Sequence, residues 1–210
     1  MLTSTKPNLA FSKLASDEQI ERAVQALEAN GIHTLVAENG DEAEKMVFDL
    51  LPEGAEVFTA TSQTLETLGI TDVVDKSGRY EALRPKMFAM DRETQGREIR
   101  KLGATPEYIL GSVHAVTEDG HALIASMSGS QLAPYAAAAA KVIWVVGAQK
   151  LVKDSDEGMR RIEEYAFPLE DQRAMQAYGV HSGVNKVLIV NKEISPDRIT
   201  MIIVKESVGF

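Results

Sequence analysis

Apolar residues recur at three- and four-residue spacing behind Ser16-Asp17-Glu18. Ile20, Ala23, Val24 and Leu27 make one stripe, and Asn30-Gly31 closes it, so the pattern predicts an amphipathic helix from Ser16 to Asn30. A short β-rich run, Ile32 to Ala37, precedes a second helical stripe of Ala43, Met46, Val47 and Leu50, which opens at Gly40-Asp41 and stops before Pro52-Glu53-Gly54. Glu56 to Ala60 is nearly all apolar and small, as a strand buried on both faces of a parallel sheet should be. These runs set up a crossover whose hand is expected to be right. Thr61-Ser62-Gln63-Thr64 then leads into a short helix, Leu65 to Leu68.

From Ser77 to Gly103 the chain is polar and helical, with Pro85 placed to break or restart the helix. Pro106 to Leu110 reads as a strand ending at Gly111-Ser112, and His114 to Thr117 pairs with Ala122 to Ala125 around Glu118-Asp119-Gly120. A polar loop, Ser126 to Gln131, precedes a helix of small residues, Pro134 to Ala140, and a central strand, Val142 to Val146. An acidic amphipathic helix, Asp154 to Tyr165, is followed by a second helical segment from Pro168 to Tyr178. Lys186 to Asn191 and Ile199 to Val204, separated by Ser195-Pro196-Asp197, predict a terminal hairpin. The fold class expected is α/β: three layers around a mostly parallel sheet, with an antiparallel C-terminal hairpin. Residues 1–210 read as one domain with a poorly ordered terminus over 1–12.

Composition narrows the function. Zero cysteines exclude disulfides, thiolate catalysis and a cluster held by this chain's own thiolates, so no cofactor is expected and electron transfer falls to a partner. Four histidines, His33, His114, His121 and His181, lack ligand spacing, and no metal site is expected. A net charge of −9 repels phosphodiester backbones, which argues against nucleic acid. No apolar run approaches the ~20 residues of a membrane span, and no signal peptide is read at the start, so membrane insertion is not expected and the location expected is cytoplasmic. Oligomeric state stays open, a homo-oligomer included.

Candidate chemistry lies where strands end. Thr61, Ser62, Gln63 and Thr64 follow a buried strand, at the carboxyl edge where α/β proteins bind ligands; plain N-capping explains the same residues equally well. Ser126, Ser128, Gly129, Ser130 and Gln131 stand between a strand and a helix, positioned to hold an anion against the helix's positive end. Lys150, after Gly147, is a candidate anion partner, with a solvated lysine as the alternative. Tyr80, Arg84 or Arg92 is a candidate lid cation, against a plain solvated face. Glu118, with Asp119 beside it, precedes a turn that does not require a carboxylate. His114 is a candidate general base or anion donor, against a hydrogen-bonded core histidine. His181, Ser182 and Asn185 form a polar cluster on a glycine-flanked loop that either lines the site or merely connects.

The run TEDG, a small-residue loop with a glycine, KVIWVVGAQKLV and the distant DRITMIIVKESVGF resemble the LUD family of lactate utilization proteins, of which LutC and YkgG proteins are members. Ser62 to Ile70 and the terminal Gly209-Phe210 extend the likeness over nearly the whole chain. The resemblance implies a fold similar to the NagB, ribose-5-phosphate isomerase and CoA transferase group, and a role in lactate oxidation beside iron–sulfur partner proteins. Thr117-Glu118-Asp119-Gly120 also resembles the Ser-Glu-Asn-Gly run that carries the covalent glutamate of CoA transferases.

Three functional classes follow. The first is an accessory or small-anion-binding subunit of a lactate, or 2-hydroxy acid, oxidation system. The second is an enzyme using Glu118, as an acyl or CoA transferase or a sugar-phosphate isomerase. A purely structural interaction protein is the third class, for which no residue speaks.

Overall fold

The stripe behind Ser16 is realised as α1 (Asp17–Ala29), held at its start by a reciprocal capping box between Ser16 and Gln19, with Ile20, Ala23 and Leu27 buried. The computed structural model describes residues 6–210. In chain order there follow β1 (His33–Ala37), α2 (Gly40–Leu50), β2 (Glu56–Thr59), α3 (Gln63–Thr67), α4 (Ile70–Lys76), β3 (Glu81–Ala82), α5 (Leu83–Ala89), α6 (Gly96–Ala104) and β4 (Tyr108–Gly111). The second half holds β5 (Ala115–Thr117), β6 (Ala122–Ser126), β7 (Lys141–Gly147), β8 (Leu151–Val152), α7 (Ser155–Arg161), α8 (Phe167–Tyr178), β9 (Lys186–Val190) and β10 (Ile199–Val204). Pro85 falls in the first turn of α5, where its missing N–H costs little, so it starts a helix.

Six strands form one sheet in the order β1-β10-β7-β4-β2-β3, parallel throughout. A second, mixed sheet has the order β8-β5-β6-β9. Alternate residues of β7 feed two cores. Val142, Trp144 and Val146 pack with α1 and the second sheet, whereas Ile143 and Val145 pack with α2, α3 and α4. The outcome is a three-layer α/β fold, with the second sheet sharing a layer with α1 and α7 packed on its outer face.

Three expectations are corrected. The terminal hairpin does not form: β10 inserts between β1 and β7, and β9 pairs antiparallel with β6 in the other sheet. Ile199, Met201, Ile202, Ile203 and Val204 are all buried, the continuous burial that parallel central strands demand. The small-residue helix at Pro134 is a single π-type turn, Pro134–Ala138, closed by the Ala139 N–H donating to Pro134 O at 3.2 Å. Buried Arg198 takes the place of a longer helix, donating to the carbonyls of Pro134, Tyr135, Ala136 and Ala139 while Glu193 holds it at 2.6 Å. The poorly ordered terminus is corrected over its described part. Leu9–Ser12 forms a 3-10 turn, the Asn8 side chain donates to Glu164 at 2.8 Å, and Phe11 is buried. The first five residues of that expectation lie outside the described residues.

Candidate functional site

The strand order brings three neighbouring strand ends together. β7, β4 and β2 lie side by side, and immediately beyond them stand Lys150, Ser112 and Thr61 to Thr64. This carboxyl edge opens into a cavity of about 610 Å³. Thr61, Ser62, Gln63, Thr64, Ser112, His114, Ser126, Ser128, Ser130, Gln131 and Lys150 all line it. Crevices outside the carboxyl ends of parallel strands are the usual ligand sites of open α/β sheets.

Lys150 is 1 % exposed, at the cavity floor. Its Nζ donates to Thr64 Oγ1 and Ser112 Oγ, each at 3.0 Å. Arg161, on α7, is fully buried nearby: Nε donates to Gln149 O at 3.3 Å, Nη1 to His114 O, and Nη2 has no partner. Its guanidinium also lies over the Tyr165 ring, 5.1 Å from the centroid. Among the described residues no carboxylate bonds either cation. Burial, then the Arg161 charge, holds the Lys150 amine well below its usual range, and burial brings Arg161 down to about 10.

His114 opens partly to the cavity while its ring lies inside the protein envelope. Its Nδ1 accepts from the Ala125 backbone N–H at 3.1 Å; a backbone N–H only donates, so the neutral ring carries its proton on Nε2. Burial, with Lys150 and Arg161 next, pushes its pKa down to about 3. At neutral pH His114 is a hydrogen-bond donor and not a cation. The anion-donor and core-histidine readings thus meet in one residue, anchored on Nδ1 and free to donate from Nε2, while the low pKa makes it a poor general base.

Several sequence candidates take other roles. Gly129 is not among the lining residues, and the loop's hydrogen bonds are largely its own: Gly129 N–H donates to Ser126 Oγ at 2.8 Å and Ser130 N–H to Ser128 Oγ at 3.3 Å. Behind the loop stands only a short helical stretch, an α-type turn closed by Tyr135 N–H donating to Gln131 O at 3.2 Å that runs into the π-type turn, in place of the longer helix expected. Ser62 is an N-cap, accepting from Leu65 N–H at 3.4 Å, and Thr64 is the loop's link to Lys150. Arg84 and Arg92 line the cavity with their guanidinium groups 5.5 and 6.0 Å from the Phe88 ring centroid, whereas Tyr80 stacks on Phe48 in the opposite core. His181 and Ser182 line the mouth and both bond buried Asp171, at 3.0 and 2.7 Å; Asn185 instead donates to Met127 O.

Glu118 and Asp119 are absent from the cavity wall, which corrects their placement in the site. β5 and β6 run antiparallel, so the turn joining them lies at the end opposite to His114 and Ser126, roughly 16 Å along a five-residue strand. There Glu118 accepts from Arg22 at 2.8 Å and Gln19 at 3.1 Å on α1, contacts that hold its carboxyl below the usual range. The Asn30 amide docks the same turn by donating to Asp119 O and Gly120 O. Positive φ at Gly120, and the α1 backbone against it, leave no room for a Cβ.

Sequence reasoning missed Ser112 and Arg161. Ser112 follows a strand end as Thr61 does, which was a usable signal. Arg161 falls on the apolar stripe of its helix, three and four residues from Gly158 and Tyr165, and only that misplaced charge marked it. Among the described residues no group of three His, Cys, Asp or Glu side chains is placed to hold a metal ion, and no helix is long and apolar enough to cross a membrane.

The doubly covered parallel sheet, with its second mixed sheet, has a counterpart among solved structures. A crystal structure of a DUF162 family protein from Deinococcus radiodurans covers 91% of this chain and 99% of its own length, with a TM-score of 0.58 at 10% identity, a likeness of fold alone. The sequence profile described as LUD domain matches residues 20–204, and the chain belongs to that family. No curated protein matches the chain at a significant level.

Proposed function

We propose that this protein is an accessory, small-anion-binding subunit of a lactate or 2-hydroxy acid oxidation system, working in the cytoplasm. The carboxylate of the acid sits against Lys150 and the Nε2–H of His114, while iron–sulfur partner proteins carry the electrons. One observation carries the reading: Lys150, on the cavity wall, and Arg161, buried behind it, have no carboxylate bonded to either among the described residues. An unpaired charge inside a protein is costly, and proteins keep such charges where a ligand of opposite sign completes the pair. Membership of the LUD domain family supports the lactate-related setting. The absence of cysteine leaves no thiolate in this chain to hold a redox cluster. The alternative, a transferase or isomerase centred on Glu118, loses support because that carboxylate is committed to Arg22 and Gln19 outside the cavity.

Thermal unfolding with lactate, pyruvate, propionate and phosphate tests the reading. A ligand at about a hundred times its Kd stabilises the native state by about 2.7 kcal/mol, which raises Tm by about 5–10 °C in a chain of this size. A monocarboxylate is expected to produce that rise in the wild type and none in Lys150→Met. Absence of a rise with every anion, or equal rises in both proteins, contradicts the reading.

A further inference from the structure

We propose that Lys150 Nζ condenses with the carbonyl carbon of a 2-oxo acid bearing an apolar side chain, forming an imine within the cavity. The proposal rests on the carboxylate-site reading above and adds a covalent step to it.

The count of bonds at Nζ is the first support. Thr64 and Ser112 hydroxyls accept from Nζ, and each has a backbone carbonyl for its own proton, Val208 O at 3.3 Å and Val113 O at 3.4 Å. Two N–H groups are thereby satisfied. The remaining position on nitrogen is either a third N–H, for which no acceptor is present among the described residues, or a lone pair. Burial and the neighbouring Arg161 charge both ease loss of that third proton, so the group that pairs with a carboxylate as a cation becomes a nucleophile once the proton leaves. Because Lys150 is buried and lines the cavity, a reactant reaches it from there.

The walls select the partner. His114, with its proton on Nε2, supplies a donor for the carboxylate. Phe58, Met87 and Phe167 supply an apolar surface, and a cavity of about 610 Å³ is far larger than a lactate-sized acid fills. A 2-oxo acid is the class that oxidation of a 2-hydroxy acid yields.

The step balances without any oxidant. The Nζ lone pair forms a bond to the carbonyl carbon and one Nζ proton passes to the oxygen, with the Thr64 and Ser112 hydroxyls placed to relay it. The C–OH bond of the carbinolamine then breaks, the second Nζ proton leaves with it as water, and the C=N bond forms. Amine and ketone become imine and water.

The test is trapping with phenylpyruvate and sodium cyanoborohydride, read by intact-mass spectrometry and peptide mapping of the full chain. Phenyllactate, which lacks the carbonyl, serves as control, and the melting temperature is recorded with both acids. The expected result is one reduced adduct per chain, on the peptide holding Lys150, with none from phenyllactate and none at that position in Lys150→Met. The wild-type peptide map keeps the result decisive if Lys150→Met fails to fold. Adducts scattered over surface lysines, or no adduct, overturn the proposal. If no adduct forms while both acids raise Tm, the imine falls and carboxylate binding stands; if neither acid raises Tm, both fall.

Discussion

Lys150 reads in the sequence as one more lysine after a strand, and its environment makes it the most informative residue in the chain. Its folded-state pKa is depressed below 10.5, chiefly by burial, so the folded protein gives up a proton that the unfolded chain still holds. Between the depressed value and 10.5 stability therefore rises with pH, and it flattens above 10.5. One such group imposes a slope of up to about 1.4 kcal/mol per pH unit. Lys150→Met is expected to remove that slope, seen as a smaller gain in Tm between neutral pH and pH near 9 than the wild type shows; an unchanged slope means the amine is not desolvated as described. His114 has the same sign in a lower window. Its stabilisation is complete above 6.5 and is lost progressively as pH falls towards about 3. Neither effect was legible from residue type, because both come chiefly from burial that distant elements create, with a further push from Arg161, which is 11 residues beyond Lys150 in sequence.

Elements were legible where burial has a single face. α1 and α2 follow their apolar stripes, and Ser16, Asn39 and Asp154 all cap as their residue types prefer. The errors fall where a distant partner decides the local structure. Nothing within residues 134–140 says that Arg198 will hold their carbonyls and leave one π-type turn in place of a helix. Arg198→Met is expected to cost about 3–5 kcal/mol, because it orphans those carbonyls and leaves Glu193 unpaired; a denaturant midpoint within error of wild type counts against the arrangement. Gly111 is a second such point. The Tyr135 hydroxyl occupies the space a Cβ would take there, and Tyr135 in turn meets Trp144 edge-on at 5.4 Å. Gly111→Ala should lower stability by about 1–3 kcal/mol through overpacking, measurable by chemical denaturation, with no loss if Tyr135 is free to move.

At the scale of the molecule, the parallel sheet and the meeting of the Thr61 and Ser128 loops on one cavity were readable from apolar strands followed by polar loops. The sequence did not reveal which strands neighbour one another. β10 lies between β1 and β7 although it is last in the chain, a non-local pairing that no window of residues displays. The position of Glu118 was in principle readable, since a hairpin puts its turn at the end opposite to the residues that open and close it. Glu118→Gln, which leaves Arg22 with a weaker partner on an exposed surface, should change stability by less than about 1 kcal/mol and leave the anion-induced rise in Tm intact. Loss of that rise would return Glu118 to the site.

The central claim is that buried Lys150, with the Arg161 charge behind it, awaits a carboxylate at the ends of β2, β4 and β7. A crystal structure grown with saturating phenyllactate tests it most directly. The account predicts the ligand carboxylate within hydrogen-bond distance of Lys150 Nζ, with its ring against Phe58, Met87 or Phe167. A ligand seated at Arg22 and Glu118, or a cavity holding only water while the protein is saturated, contradicts it.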